Sequence, residues 1–275
     1  PLPIKGSPAD LTASRGYLVG GRLLAPTSDA LRARPVSVRR GAVHATQELL
    51  GALQRAADHV AQRWPGSVAW VGDLSARTGG DLPHHASHNS GRDADIAFYV
   101  RDRAGRFADS PAFETMGAEG ASAGGITFDV ARNWAWVEAL LRDPHVQVQW
   151  IFVARWLRDK ILHYAEQEGA DPELLGRARI ALDQPHGSSA HADHFHVRIT
   201  CALEERVEGC VDYGPVRRWT DTYDDALAER VREVLPFLSH GGVEERRFAI
   251  TRVVRLRALA AISHLEPLMG DPNPE

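Results

Sequence analysis

Histidine and acidic residues are concentrated in two short windows of the sequence, HHASHNSGRDAD at residues 84–95 and HADHFH at residues 191–196. Seven of the thirteen histidines lie within residues 84–88 and 186–196. Imidazole and carboxylate groups are the usual ligands of catalytic zinc, which takes three protein ligands and leaves a fourth position open. The two windows therefore indicate a catalytic metal site that is assembled from two separate segments of the chain.

The spacing within each window indicates which side chains can share one metal ion. His88 and Asp95 are seven residues apart with Gly91 between them, so a tight turn can bring the histidine back beside the carboxylate. His194 and His196 are two residues apart, and side chains at this spacing point to the same face of a strand. Imidazoles combined with one carboxylate leave zinc with a net positive charge, which suits the hydrolysis of an amide.

Other kinds of site fit these residues less well. Closed structural zinc sites usually contain cysteine ligands, and Cys201 and Cys210 lie outside both windows. Neither the HExxH motif of the zincins nor a CxxC pair occurs in the sequence. A Ser/His/Asp triad with Ser188 or Ser189 stays formally open, although both serines lie in a glycine-serine loop.

Composition places the chain among ordinary globular proteins. Its 275 residues, 44% hydrophobic and 25% charged, fit one large domain or two small ones. A formal net charge of −4 provides no broad basic field, so nucleic acid is not an expected partner. No apolar run is long enough for a membrane span, and the first residues lack the pattern of a signal peptide. The sequence carries no indication of an oligomeric state.

Apolar periodicity predicts the elements that position the two windows. The predicted helices cover residues 42–64, 130–143, 154–169, 172–182, 222–236 and 243–266. The predicted strands cover residues 67–75, 94–100, 145–153 and 195–201, so both windows lie at the start of a strand. We expect an α+β fold in which a small central antiparallel sheet carries the metal site, flanked by helices and followed by extra C-terminal helices. Loops 101–127 and 183–190 would form the rim of the cleft.

Three segments of the sequence carry a family resemblance. SHNSGRDADI, FDVARNWAWVEALL followed by VQWIFV, and HADHFHVRI with Cys201 just beyond it resemble the penicillin-insensitive murein endopeptidases, from about Gly16 to Cys210. This family shares its fold and zinc site with lysostaphin-type peptidases and D-alanyl-D-alanine dipeptidases. The resemblance implies an enzyme with one Zn²⁺ per chain that uses a zinc-activated water. Its implied substrate is the peptide cross-link of peptidoglycan between D-alanine and meso-diaminopimelate, and its implied location is the periplasm or the cell exterior.

The resemblance also assigns roles to individual residues. It implies three zinc ligands, which are His88, Asp95 and His196. His194 matches the histidine that activates water, and His191 matches a further active-site histidine that holds the water or the developing oxyanion. His85 matches another family histidine close to the metal, with a supporting role. Asp193 is a rival for the general base, but alternation along the strand would point its side chain away from the pocket.

The two cysteines can be read in two ways from the residues alone. Cys201 and Cys210 are separated by eight residues, which allows either a short disulfide loop or two reduced, buried thiols. The resemblance implies the disulfide. The Pro-, Gly- and Arg-rich residues 1–40 predict an N-terminal arm packed on the body. Residues 41–219 are predicted to form the zinc metallopeptidase domain, and residues 220–275, which fall outside the resemblance, a C-terminal helical extension.

Three other functions stay open at this point. The nearest is a D,D-carboxypeptidase or dipeptidase of the same zinc family, which would remove terminal D-alanine rather than cut cross-links. A wall-binding module without activity would keep the fold, but it would not need a histidine base beside an open metal. A metal-buffering protein would bind several ions per chain.

Overall fold

The computed structural model describes residues 16–185, 187, 189–202, 205–206, 210–212, 214–215, 217, 224–256 and 258–270. Ser188, His186 and the first part of the N-terminal arm lie outside these ranges. The described chain divides into two compact units, one that ends at Thr200 and one that begins at Cys201. The predicted domain boundaries at residues 40 and 219 stay predictions.

Four of the five helices described in the first unit agree closely with the predicted positions, whereas the helix at residues 35–40 lies in the predicted arm, where no helix was expected. The five helices are α1 Pro35–Arg40, α2 Gln47–Arg63, α3 Val130–Arg142, α4 Arg155–Gln167 and α5 Pro172–Ala181. Three of them begin after a residue whose side chain accepts a hydrogen bond from the backbone N–H three residues further on, namely Thr46, Asp129 and Asp171. These caps explain why α2 begins at Gln47 and not at residue 42, where the apolar pattern starts.

Eleven short strands are found in the first unit. They are β1 Arg22–Leu23, β2 Leu31–Ala33, β3 His44–Ala45, β4 Ala69–Val71, β5 Asp93–Ala97, β6 Val100–Arg101, β7 Phe107–Ala108, β8 Thr127–Phe128, β9 Val148–Phe152, β10 Leu182–Asp183 and β11 His194–Ile199. The main sheet has the order β10-β9-β11-β5-β4-β2, and two smaller sheets have the orders β7-β6-β8 and β1-β3. The predicted helices around a central sheet are therefore present.

The prediction of a single small antiparallel sheet is wrong. The main sheet has six strands, and both of its edge pairs, β2 with β4 and β9 with β10, are parallel. Each parallel pair is joined by a connection that contains helices, as parallel neighbours require. With only three and two residues, β2 and β10 are too short to show a periodic pattern, so apolar alternation could not reveal them.

The register of the central strands separates a core face from a polar face. In the antiparallel pair β5–β11, His196 lies opposite Asp95 and Phe195 lies opposite Ile96. Phe195 and Ile96 are buried, and the Phe195 ring stacks on Trp136 of α3 at a centroid distance of 5.3 Å. Helices α2, α4 and α5 pack against α3. The side chains that alternate with this core, including Asp95 and His196, are directed to the opposite face of the sheet.

The second unit is mainly helical where the structure describes it. Its helices are α6 Asp224–His240, α7 Val243–Arg255 and the short α8 Ile262–Leu265. The predicted helix over 243–266 is wrong in length, because the chain turns after Arg255 and places Ala261 in a core with Leu238 and Val253. A disulfide joins Cys201 to Cys210, which decides between the two alternatives for the cysteines. Among the described residues, none of the helices has the length and apolar character to cross a membrane.

Candidate metal centre

A left-handed turn before β5 positions the first histidine of the site. His88 has a φ of 71° and Gly91 a φ of 73°. A Cβ atom at residue 91 would lie 2.8 Å from Cδ1 of Leu18 and 3.2 Å from Cα of Ala45, so glycine is required there. Left-handed backbone at a residue with a side chain costs about 1 kcal/mol and is concentrated at functional sites.

Three imidazoles approach one oxygen of Asp95. The distances to Asp95 Oδ1 are 3.2 Å from His88 Nε2, 3.4 Å from His196 Nδ1 and 3.5 Å from His194 Nε2. Asp95 and His196 meet because they are cross-strand partners, and His194 joins them because it lies two residues along the same strand. The structure thus brings together four of the predicted site residues.

The chemistry of this cluster fits a metal ion. Asp95 Oδ1 and His88 Nε2 are buried, and neither makes a hydrogen bond of acceptable geometry although they lie 3.2 Å apart. Buried polar atoms without partners are rare, and a bound cation would satisfy both. Ligand atoms at zinc distances in a tetrahedron lie roughly 3.3–3.4 Å apart, which is close to the separations of His88 and His196 from Asp95.

Outer hydrogen bonds fix the orientation of the two histidines. His88 Nδ1 donates to the backbone oxygen of Leu74 at 2.9 Å, and His196 Nε2 donates to Oδ1 of Asp93 at 2.7 Å. Each ring therefore keeps its other nitrogen free to face Asp95. Burial alone would raise the pKa of Asp93, but the Arg198 guanidinium and His196 hold that pKa well below its usual range.

His85 is an alternative candidate for a metal ligand beside Asp95. Its Nε2 lies 3.0 Å from Asp73 Oδ2, and its Nδ1 lies 3.9 Å from Asp95 Oδ2. In the group formed by His85, His88 and Asp95, all candidate ligand atoms lie within 4.8 Å of one another. The geometry therefore permits two donor sets, which share His88 and Asp95 and differ in whether His85 or His196 completes them. The choice of His196 stays a prediction.

Asp193 and Phe113 surround His194. Nδ1 of His194 lies 2.7 Å from Oδ1 of Asp193, and its ring stacks on Phe113 at 4.5 Å with an interplanar angle of 17°. Burial lowers the pKa of His194, but the contact with Asp193 and the negative charges of Asp95 and Asp193 outweigh burial and raise this pKa to about 9. Asp193 precedes β11, so strand alternation does not determine its direction, and it contacts the nitrogen of His194 that is not directed at Asp95.

His191 lies at the edge of the cluster in a left-handed conformation with a φ of 52°. Its ring centre is 5.1 Å from that of His194 and 5.5 Å from that of His196. Nδ1 donates to the backbone oxygen of Ser189 at 3.0 Å. Burial and the charges of the two neighbouring histidines lower the pKa of His191 to about 4, so it is neutral at pH 7 and its Nε2 can only accept.

Several residues at the site were missed by sequence reasoning. Asp93 has a signal that could have found it, because it lies two residues before Asp95 in the same strand and shares its face. Asp73 and Phe113 lie in irregular segments, where no periodic pattern exists. Trp134 and Trp136, the two tryptophans of α3, are buried in the core.

The site consists of a buried carboxylate surrounded by imidazoles on one face of the mixed main sheet. Metal-dependent hydrolases use sites of this kind. Residues 12–240 match the sequence model of the penicillin-insensitive murein endopeptidases. Because this match covers most of the chain, the protein belongs to that family, and the resemblance seen in the sequence is confirmed. The family is one of peptidases that act on peptidoglycan. A search of curated proteins returns no significant match.

Proposed function

We propose that the protein is a zinc-dependent endopeptidase that hydrolyses peptidoglycan cross-links between D-alanine and meso-diaminopimelate. The observation that carries this proposal is the approach of three imidazole nitrogens to one buried oxygen of Asp95, which has no hydrogen-bond partner within the described residues. The family match supplies the substrate class. The particular cross-link is taken from the resemblance.

We assign the zinc ligands to His88 Nε2, Asp95 Oδ1 and His196 Nδ1. The hydrogen bonds to Leu74 and Asp93 support this assignment, because they leave these two imidazole nitrogens without a proton. When bound, zinc supplies a positive charge that polarises the scissile carbonyl and lowers the pKa of a water molecule. In this proposal, His85 supports the site through its contact with Asp95.

His194 is the proposed general base. Asp193 accepts the proton of Nδ1, so Nε2 is the nitrogen that can take a proton from water and return it to the leaving amine. The raised pKa of His194 depends partly on the negative charge of Asp95. A cation held by that carboxylate would offset this charge and favour the neutral imidazole that a base requires.

His191 is proposed to orient the attacking water. Its Nδ1 donates to the backbone of Ser189, and its lowered pKa keeps it neutral, so Nε2 acts as an acceptor. An acceptor can hold a water hydrogen, whereas stabilisation of an oxyanion requires a donor. Of the two roles that the resemblance offered for His191, we therefore propose the first.

The cell envelope is the proposed location. The disulfide between Cys201 and Cys210 supports it, because disulfides persist in the periplasm and outside the cell. Peptidoglycan, the substrate of the family, lies in the same compartment.

Mass spectrometry of purified muropeptide dimers, incubated with the zinc-loaded protein, tests the proposal. We expect conversion of dimers to monomers that stops with a chelator and returns when zinc is added. Release of terminal D-alanine without cleavage of the cross-link would favour the carboxypeptidase alternative. Tight binding of one zinc without any cleavage would contradict the proposed activity and favour a wall-binding module.

A further inference from the structure

Arg34 lies beside the candidate site and forms no ion pair with any residue that the structure describes. Arg34 follows β2 and is the residue that precedes α1. Its Nε donates to the backbone oxygen of Pro111, and its guanidinium carbon lies 3.7 Å from the centre of the Phe113 ring. Within the described part of the chain, no carboxylate oxygen forms a salt bridge with this guanidinium. The side chain is therefore held in place mainly by neutral contacts.

The position of Arg34 is tied to that of His194. Phe113 contacts both residues, with the imidazole stacked on its ring at 4.5 Å and the guanidinium carbon at 3.7 Å. The guanidinium carbon of Arg34 consequently lies within about 8 Å of the His194 ring centre. A Cβ atom at Gly72 would lie 2.5 Å from Cζ of Phe113 and 3.0 Å from Cβ of Asp95, so the missing side chain at residue 72 allows Phe113 to pack against the site.

The segment that carries Phe113 is also fixed on its far side. The backbone N–H of Met116 donates to the oxygen of Ala192 at 2.8 Å, and Trp156 Nε1 donates to the oxygen of Met116 at 3.1 Å. Residues 111–116 are thus held at one end by Arg34 and at the other by the second histidine window. This arrangement fixes the distance between the guanidinium and the catalytic imidazole.

Several acidic residues lie near Arg34, but none of those that the structure describes forms a salt bridge with it. Burial lowers the pKa of Arg34, while the charges of Asp73, Asp95 and Asp193 act in the opposite direction. The guanidinium remains charged at any physiological pH. Because Nε is occupied by Pro111, the two terminal nitrogens are the atoms available to a ligand, and a guanidinium binds carboxylates with well-defined geometry.

We propose that Arg34 binds a carboxylate of the substrate, on the residue that supplies the leaving amine; this inference rests on the proposed peptide hydrolysis. In a bond from D-alanine to meso-diaminopimelate, the carbon that bears the scissile nitrogen also bears a carboxylate. This carboxylate is three bonds from the scissile carbonyl carbon. An arginine within about 8 Å of the base can bind it while His194 faces the scissile bond. Arg34 is therefore a specificity-determining residue.

Two muropeptide dimers that differ only in this group, one with the free carboxylate and one with its amide, test the inference. We expect the wild-type protein to cleave the free form with the higher kcat/KM. Arg34→Ala and Arg34→Gln should each lower kcat/KM for the free form by roughly 10- to 100-fold, mainly through KM, because a hydrogen bond to a charged group is lost. Both variants should lose less activity on the amidated dimer than on the free form, so that the ratio of the two kcat/KM values falls, and Arg34→Lys should recover part of the preference.

Arg32→Ala is the matched control, because Arg32 lies two residues earlier on β2 and its side chain is 48% exposed. This variant should keep the wild-type preference. Arg34→Gln removes the charge but keeps a side-chain N–H donor about where Nε donates to Pro111, so comparison with Arg34→Ala separates loss of charge from loss of that hydrogen bond. An equal loss on both dimers, or no loss on either, would overturn the role of Arg34 while leaving the proposed function intact. Absence of cleavage by the wild-type protein would overturn the proposed function and this inference with it.

Discussion

Asp95 holds the candidate site together because one of its oxygens faces three imidazoles. Its carboxylate is buried, and burial alone would raise its pKa. The neighbouring imidazoles of His88 and His194 lower that pKa well below its usual value, because positive charge on either ring favours the ionised carboxylate. An ionised carboxylate in a buried position requires a compensating charge, which either protonated histidines or a metal ion can supply.

The two possible donor sets can be separated by mutation. We expect His196→Ala to abolish tight zinc binding, because it removes a ligand that lies opposite Asp95 in the register. His85→Ala should weaken zinc binding by only about 10- to 100-fold, as expected when a supporting contact is lost. Zinc content after dialysis and competition titration with a chelator would measure both effects.

His59→Ala is the control for these variants, because His59 is an exposed residue of α2. It should bind zinc as the wild type does. If His85→Ala lost the metal and His196→Ala retained it, the ligand set would be His85, His88 and Asp95.

The general base is tested by comparing His194 with Asp193. His194→Ala should lower kcat by roughly 10²- to 10⁴-fold with zinc retained, which is the usual contribution of general acid–base catalysis. Asp193→Asn should cost less, because it removes only the charge that orients Nδ1. Steady-state kinetics combined with metal analysis would distinguish the two. A large loss in the Asp193 variant beside near-normal activity in His194→Ala would reverse the assignment.

Spacing in the sequence identified the residues that meet at Asp95, because strand alternation fixes the direction of each side chain. His194 and His196 share a face as predicted. Residues such as Phe113 and Arg34 could not be identified in this way. They reach the site from a loop and from the residue before α1, and their approach depends on tertiary packing that has no local pattern.

The positions of the helices were easier to predict than the order of the strands in the main sheet. Apolar periodicity and capping side chains are local properties, and α3 and α4 lie within two residues of their predicted spans. The pairing of β2 with β4 and of β9 with β10 depends on contacts between distant segments. Both edge strands are also too short for an apolar pattern, so the parallel pairs could not be predicted.

The start of α3 contains a buried ion pair whose loss should destabilise the fold. Asp129 caps the helix and accepts a hydrogen bond from Nε of Arg132 at 2.8 Å, with both side chains almost fully buried. Asp129→Ala should lower the free energy of unfolding by about 3–5 kcal/mol, because it removes the carboxylate that pairs with the buried guanidinium of Arg132. Urea unfolding would measure this change.

Asp129→Asn separates the cap from the charge, since asparagine is also a good capping residue. It should cost less than the alanine variant. Equal losses in both variants would show that the charge, and not the cap, determines the stability at this position.

For the whole molecule, acidic residues around the site link stability to pH. Burial raises the pKa of Asp73, but hydrogen bonds from His85 and Arg40 lower it more, to about 2. An aspartate in the unfolded chain titrates near 3.9, so the folded protein binds fewer protons between these two values. The resulting stabilisation is complete above about pH 4 and is lost as the pH falls through about 2.

The expected size of this effect is about 2.5 kcal/mol, because one pKa unit corresponds to about 1.4 kcal/mol. Free energies of unfolding in urea, measured from pH 6 down to pH 2.5, should decrease on the acidic side. Asp73→Asn should be less stable at pH 6 and show a smaller decrease toward acid, since the asparagine side chain does not titrate. If this variant lost stability as steeply as the wild type, the acid sensitivity would arise from other groups, of which Asp93 and Asp95 have pKa values lowered in the same direction.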